Sequence, residues 1–329
     1  MAHREVVLLQ MGGPAKLDEL RPFYQRLFGD PDLIQLPAVI RPAQPTLARV
    51  LALARSRSMR QRYSQIGGGS PLLAHTTSLA DAVERELQAR GEPARVHVAM
   101  RYSEPSADAV VADLQARGVE QVVLVPLYPH WSQSTTGSSV ADFRRAALAA
   151  GYRGSIELVS SWGSDPRYTK LLISQIEATR TDLAADWGGP VYLLFSAHGL
   201  PERYVVRGDP YPTQVRETAA TVGAQVSGFV SWHLGFQSRM GPVRWLGPST
   251  DHVLGGLAAM GASAVVAVPL GFVSDHIETL YDLDILYREE ALALGIRHYR
   301  RVPAFNADPR FASIIADLVG GPTAQVAAA

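Results

Sequence analysis

The sequence predicts an α/β protein of two Rossmann-like domains, each a parallel sheet flanked by helices, and three observations carry that expectation. Short β-rich runs alternate with longer helical patterns along most of the chain, which is the rhythm of βαβ units. Residues 118–137 (GVEQVVLVPLYPHWSQSTTG) and 261–280 (GASAVVAVPLGFVSDHIETL) align without a gap, so the second half echoes the first. At 329 residues the chain exceeds one ordinary domain of about 100–200 residues. The expected division is 1–160 and 161–329, with the boundary falling near 155–165.

Taken in order, EVVLLQMGG (5–13) reads as the first strand, followed by a helix near 74–90. ARVHVAMRYS (94–103) precedes a helix over 105–117, and VEQVVLVPLYP (119–129) precedes one over 139–150. SIELVSSW (155–162) leads to a helix over 166–185. PVYLLFSAHG (190–199), GFVSWHLGF (228–236) and ASAVVAVPLGF (262–272) continue the series, giving seven or eight strands. In such sheets ligands gather at the carboxyl ends of strands, so the polar loops there are the first places to look for chemistry. The final GGPTAQVAAA (320–329) reads as a frayed tail.

Composition narrows the chemistry. With 31 basic and 31 acidic residues the formal charge is zero, which gives no reason to expect a nucleic-acid partner. The absence of cysteine excludes disulfides, thiolate zinc sites, cysteine nucleophiles and cysteine-held iron–sulfur clusters. Metal chemistry would therefore have to use His, Asp and Glu. No apolar run approaches the 18 or so residues of a membrane span, and the opening MAHREVVLLQMGGP lacks a cleavage-site pattern, so a soluble, cytoplasmic protein is expected.

Two glycine-rich stretches fail as nucleotide sites. QMGGPAK lacks the G-x-G-x-x-G spacing, and IGGGSPL lacks the lysine of a P-loop. Pro71 disfavours helical geometry at Ser70, so no helix is expected to start there and cradle a phosphate. His198 is more informative: it stands where the strand 191–195 gives way to a turn fixed by Gly199 and Pro201. A structural histidine and a reactive one are both compatible with that position.

The densest cluster is PLGFVSDHIETLYDLD (269–284), where Asp275, His276, Glu278, Asp282 and Asp284 follow an apolar strand. A helix from 275 onward would place Asp275, Glu278 and Asp282 on one face, with His276 pointing elsewhere. Clustered carboxylates repel and raise one another's pKa unless a cation or proton traffic compensates, although acids in a first helical turn are also ordinary dipole partners. Tyr102, Tyr128, Trp131, Phe236 and Trp245, with Met11, read as packing residues or as the lining for a large flat apolar ligand.

At these residues the chain resembles the ferrochelatase family. LLQMGGP, YSQIGGGSPL, MRYSEPS, PLYPHWSQSTTGSS, LLFSAHGLPERYVVRGDPY, FQSRMGPVRWLGPST and FVSDHIETLYDLD occur in the family's order over nearly the whole chain. The resemblance implies the chelatase fold with an active cleft between two domains, and an enzyme that inserts ferrous iron into a porphyrin and releases two protons. By motif position it implies that His198 and Glu278 are the catalytic and metal-binding pair, and that Asp275, His276 and Asp282 form an acidic path leading away. Met11, Arg101, Tyr128, Ser132, Phe236, Ser238 and Trp245 match positions that bind the porphyrin. Phe236 departs from a Trp of some members, and Leu286 replaces an acid further along the row.

The resemblance further implies no permanently bound cofactor, Fe2+ as a substrate, and no iron–sulfur cluster. A monomer is expected, with porphyrin and ferrous iron as its partners and with transient contact to a membrane or to the preceding pathway enzyme. Pyrrole N–H groups are very weak acids, so insertion needs a base at the macrocycle and a route for protons. Imidazole and carboxylate also strip water from ferrous iron without holding it as tightly as thiolate would. Protoporphyrin IX is the favoured substrate, with coproporphyrin III the alternative. A chelatase for another metal such as cobalt, or a tetrapyrrole or metal carrier without turnover, would be a different reading of the same fold.

Overall fold

The computed structural model describes residues 4–34, 36, 39–239, 241 and 243–321, and the backbone of 325 and 326. It divides into two compact units, Met1–Ser161 with Asn306–Ala329, and Trp162–Phe305. The division expected from the sequence differs from these units in where 306–329 lies.

In the first unit, strands β1 (Arg4–Gln10), β2 (Ala94–Met100), β3 (Gln121–Pro126) and β4 (Ser155–Leu158) lie in the order β2-β1-β3-β4 and run parallel. Helices α1 (Leu20–Gly29) and α2 (Gln44–Gln65) occupy the stretch that the alternation leaves unassigned. Helices α3 (Leu72–Ala89), α4 (Ala107–Ala116) and α5 (Ser138–Ala150) follow where the sequence expects them. Local signals explain the boundaries. Ser106 caps α4 by accepting the Ala109 N–H at 3.4 Å, and Gly151, with φ 68°, closes α5. Val7, Leu9, Val122 and Leu124 pack against Val111, Leu114 and Phe143, while Val6, Leu8, Val123 and Val125 are buried on the opposite face. Burial on both faces is why these strands read as unbroken apolar runs.

The second unit repeats the plan. Helix α6 (Pro166–Ala184) is capped by Asp165, which accepts the Arg167 N–H at 2.8 Å, and leads to β5 (Tyr192–His198). Then follow α7 (Glu202–Val206), α8 (Tyr211–Gly223), β6 (Trp232–Gln237), α9 (Thr250–Ala259), β7 (Ala264–Pro269), α10 (Tyr287–Ala293) and β8 (His298–Arg301). The order is β6-β5-β7-β8, again parallel. Helix α11 (Pro309–Gly320) returns to the first unit, where Arg90 reaches Asp317 and the Ser313 hydroxyl. The two-residue strand β9 (Gln325–Val326) pairs antiparallel with β4, and the rest of the expected tail from 322 onward lies outside the described residues. Among the described residues no helix is long and apolar enough to cross a membrane.

Shared order brings shared register. Leu9 pairs with Pro126 as Ser196 pairs with Pro269, and the Leu127 and Leu270 N–H groups each reach the matching carbonyl, of Leu9 and Ser196, at 2.9 Å. Counting on from these pairs, Met11 and Gly12 stand in the first unit where His198 and Gly199 stand in the second, and Arg101 stands where Gln237 does. In both sheets the chain switches direction between the two central strands, which is the usual ligand-binding point.

One expectation is corrected. Helix α3 does begin at Leu72, directly after Pro71, because proline suits a helix start, where a missing N–H costs nothing. The glycines before it serve packing. The Ser70 N–H donates to Pro14 O at 2.7 Å, and a Cβ on Gly69 would lie 2.0 Å from Ala15 O, so the loop is pressed onto QMGGPAK.

At the amino end of β1, the buried Glu5 carboxylate binds Arg117 at 2.7 and 3.0 Å and His97 at 2.6 Å. Burial raises the Glu5 pKa, but the hydrogen bonds and charge of Arg117 and His97 outweigh it and bring it below the ordinary value of 4.5. A depressed carboxylate stabilises the fold above its unfolded pKa, and that stability is lost as pH falls through the folded pKa. Glu5→Gln is expected to cost about 2 kcal/mol at pH 7, less than the loss from a fully enclosed pair because Arg117 stays partly in water. Denaturant melts should show the gap between variant and wild type closing below about pH 4. A constant gap across that range would contradict a charge-based role.

Candidate active site

The chemistry gathers at the switch point of the second unit. His198 ends β5, and Glu278 opens the segment after β7. Their side chains meet at 2.8 Å, His198 Nδ1 to Glu278 Oε2. His198 keeps 41% of its side chain accessible and Glu278 20%, so the imidazole is the more open of the two. The partly enclosed setting disfavours a charged imidazole, but the Glu278 carboxylate, with Asp282 behind it, outweighs this and holds the His198 pKa above its ordinary value. Enclosure alone would raise the Glu278 pKa, whereas His198, then His276, and a hydrogen bond from Gln237 bring it well below the carboxylate range. Each group thus favours the charged form of the other.

The expected helix from 275 is corrected in kind. Asp275 and His276 precede it, and Glu278–Leu286 is π-helical, a wider coil than the α-helix in which residues three apart share a face. The acids therefore have separate partners. Asp275 pairs with Arg301 at 3.0 Å and accepts from the Thr279 hydroxyl at 2.9 Å. Asp282 accepts from the Ser238 hydroxyl at 3.3 Å. The His276 Nδ1 lies 3.0 Å from Ser274 O and its ring sits 4.9 Å from Phe272; burial first, offset only partly by the neighbouring carboxylates, holds its pKa down.

Gln237, Ser196, Thr250 and Tyr211 complete this site and were not singled out from the sequence. Gln237 is fully buried, offers its amide to the Glu278 carboxylate at 3.4 Å, and accepts from the Ser196 hydroxyl at 2.6 Å. Ser196 also meets the Thr250 hydroxyl at 2.9 Å, and the Tyr211 hydroxyl donates to His198 O at 2.9 Å. Strand pairing was the available signal, since a residue beside His198 on β6 must be Gln237.

The porphyrin-binding candidates fall into three groups. In the second unit Ser238 lies beside the pair with φ 65°, and a Cβ on Gly199 would touch the Trp245 ring at 3.3 Å, so both are near His198. Phe236 is fully buried, with the Arg216 guanidinium 5.5 Å over its ring, and alternation along β6 turns it away from Gln237. In the first unit Met11 and Tyr128 are part-exposed at the strand ends, and Ser132 is buried as the cap of a short π-helical turn, Gln133–Gly137. Arg101 is already engaged by Asp30 at 3.0 Å, Asp142 at 3.4 Å and the Ser138 hydroxyl at 2.9 Å.

Comparison with known proteins gives the same direction. The profile of the family described as ferrochelatase matches residues 3–321. A protein named ferrochelatase from Geotalea uraniireducens (strain Rf4) is 42% identical over 315 residues, covering 95% of this chain and 96% of that one. Another of that name from Synechococcus sp. (strain RCC307) is 40% identical, covering 97% of this chain and 82% of its own. Among solved structures, SirB from Bacillus subtilis with Fe3+ aligns with a TM-score of 0.56 at 12% identity, over 98% of this chain and 96% of that chain. At that identity the likeness shows the fold alone.

Proposed function

Because this chain belongs to the ferrochelatase family, whose reaction is metal insertion into porphyrin, we propose that it inserts ferrous iron into protoporphyrin IX with His198 and Glu278 as the reacting pair. The two compact units are then its two domains. The observation that carries this reading is the 2.8 Å contact between an open imidazole and an ionised carboxylate at a topological switch point.

The coupling between the two groups gives the reaction an order. A protonated imidazole cannot accept a pyrrole proton, and the Glu278 carboxylate favours that protonated form. A dication drawn to the carboxylate cancels that attraction, which favours loss of any imidazole proton to solvent, so that His198 is a base as metal arrives. The neutral His198 then takes the macrocycle's two protons in turn, passing the first to solvent before the second, and Gln237, fixed by Ser196, keeps the carboxylate aimed throughout. Asp282, one side chain further along, offers a second anionic stop for a cation or proton.

Arg101 bears on the choice of porphyrin. Coproporphyrin carries four propionates and needs more cationic partners than protoporphyrin with two, and the charge of Arg101 is already met by two carboxylates. A higher kcat/KM for protoporphyrin IX than for coproporphyrin III is expected, and the reverse preference would overturn this assignment. With nitrogen and oxygen donors and no thiolate, the site is also expected to insert zinc and cobalt in vitro. Turnover of porphyrin in excess over protein, followed by absorption under anaerobic conditions, tests the whole reading; stoichiometric binding without turnover would favour a carrier.

A further inference from the structure

We propose that Arg301 is a positioning residue for the reacting pair, acting by holding the long π-helical segment that presents Glu278; this rests on the metal-insertion reading above. Arg301 ends β8 with its side chain only 10% exposed. Its Nε and Nη2 meet both oxygens of Asp284 at 2.7 and 2.9 Å, while Nη1 lies 3.0 Å from Asp275 and donates to Val302 O at 3.3 Å. One planar guanidinium thus ties Asp275, three residues ahead of the segment, to Asp284 near its end, on either side of Glu278. Asp275 passes the tie inward. It accepts from the hydroxyl of Thr279, which is fully buried, accepts the His276 N–H at 3.0 Å and directly follows Glu278.

The first unit supplies an internal comparison. By the shared register Leu158 stands where Arg301 does, and by the gapless echo Ser132 and Ala141 stand where Asp275 and Asp284 do. There the π-helical turn covers five residues, Gln133–Gly137, before the chain continues as the α-helix α5. In the second unit it runs nine residues, Glu278–Leu286. π-Helix is rare beyond a single turn, and an unfavourable backbone persists only where its surroundings over-determine it. The longer segment occurs where the three-residue brace occurs. The brace also reassigns Asp275 and Asp284: both are held by Arg301, which leaves Glu278 and Asp282 as the acids facing the reaction.

The test uses Arg301→Lys and a triple variant, Asp275→Ser with Asp284→Ala and Arg301→Leu, which installs the first unit's own residues and leaves no uncompensated charge. Removing the brace is expected to lower kcat at least about 10-fold, by misplacing Glu278, with KM for porphyrin changed less than about 2-fold. Hydrogen exchange should accelerate in peptides covering 275–286 and stay unchanged in those from β5 to β7. A triple variant with wild-type kcat and wild-type exchange over 275–286 would overturn the proposal. Absence of turnover in the wild type would instead count against the metal-insertion reading, and the exchange comparison would still decide on the brace.

Discussion

His198→Ala is expected to lower kcat for metal insertion at least about 100-fold, the usual scale for losing a positioned acid–base group. Glu278→Gln should cost a similar factor, because it keeps the shape but removes the anion that draws in the cation and tunes the imidazole. If both serve one step, the double variant should be little worse than either single one. Porphyrin binding should persist, since a large flat apolar ring is held chiefly by apolar contact and not by these two polar groups. The electrostatic account has its own readout. Glu278 is the main group raising the His198 pKa, so Glu278→Gln must lower that pKa, and a histidine titration by NMR would show it. Full turnover in either variant would demote the residue to a strand-end or helix-start role.

Gly199→Ala is expected to cost about 100-fold in kcat without touching either reacting group. The Gly199 N–H donates to Gln237 O at 2.8 Å, and an added Cβ would lie 2.7 Å from that same oxygen and 3.3 Å from the Trp245 ring. No flexible side chain can yield on the oxygen's side, so the end of β5 must move off β6 and carry His198 with it. The thermal midpoint should fall only slightly, because the change lies at a strand end and leaves the core intact. Activity within about 3-fold of wild type would mean that the turn absorbs the methyl without moving the imidazole.

Much of this was legible in the residues. The eight parallel strands were readable because both sheet faces are covered, which leaves long Val- and Leu-rich runs such as EVVLLQ and AVVAVP. His198 and Glu278, whose side chains meet, stand in motifs that single them out in the sequence. The π-helix was not, because DHIETLYDLD is equally compatible with an α-helix, and the contacts from Arg301 that accompany the wider coil come from a strand about 20 residues away in sequence. The burial of Phe236 on the face turned from Gln237 was hidden for a different reason. A strand has two faces, and choosing the one that meets the reacting pair requires the pairing of His198 with Gln237, which only the register supplies. Arg101 likewise looked available in the sequence, and only the fold brings Asp30 and Asp142 to it.

The matching registers of the two units bear on how such a protein arose. A strand end that holds Met11 in one unit and His198 in the other, beside Arg101 in one and Gln237 in the other, shows that this architecture accepts either kind of residue there. Foldability therefore places little demand on the reactive side chains. Two units on one plan leave one free to carry an imidazole and carboxylates while the other carries a thioether and hydroxyls. The same freedom runs backwards: a descendant in which drift returns the 198 position to Met and the 278 position to Thr, as in the first unit, would fold and still hold its ring-shaped ligand. It would persist in a genome as a silent binder, and a family-wide match alone would never reveal the loss.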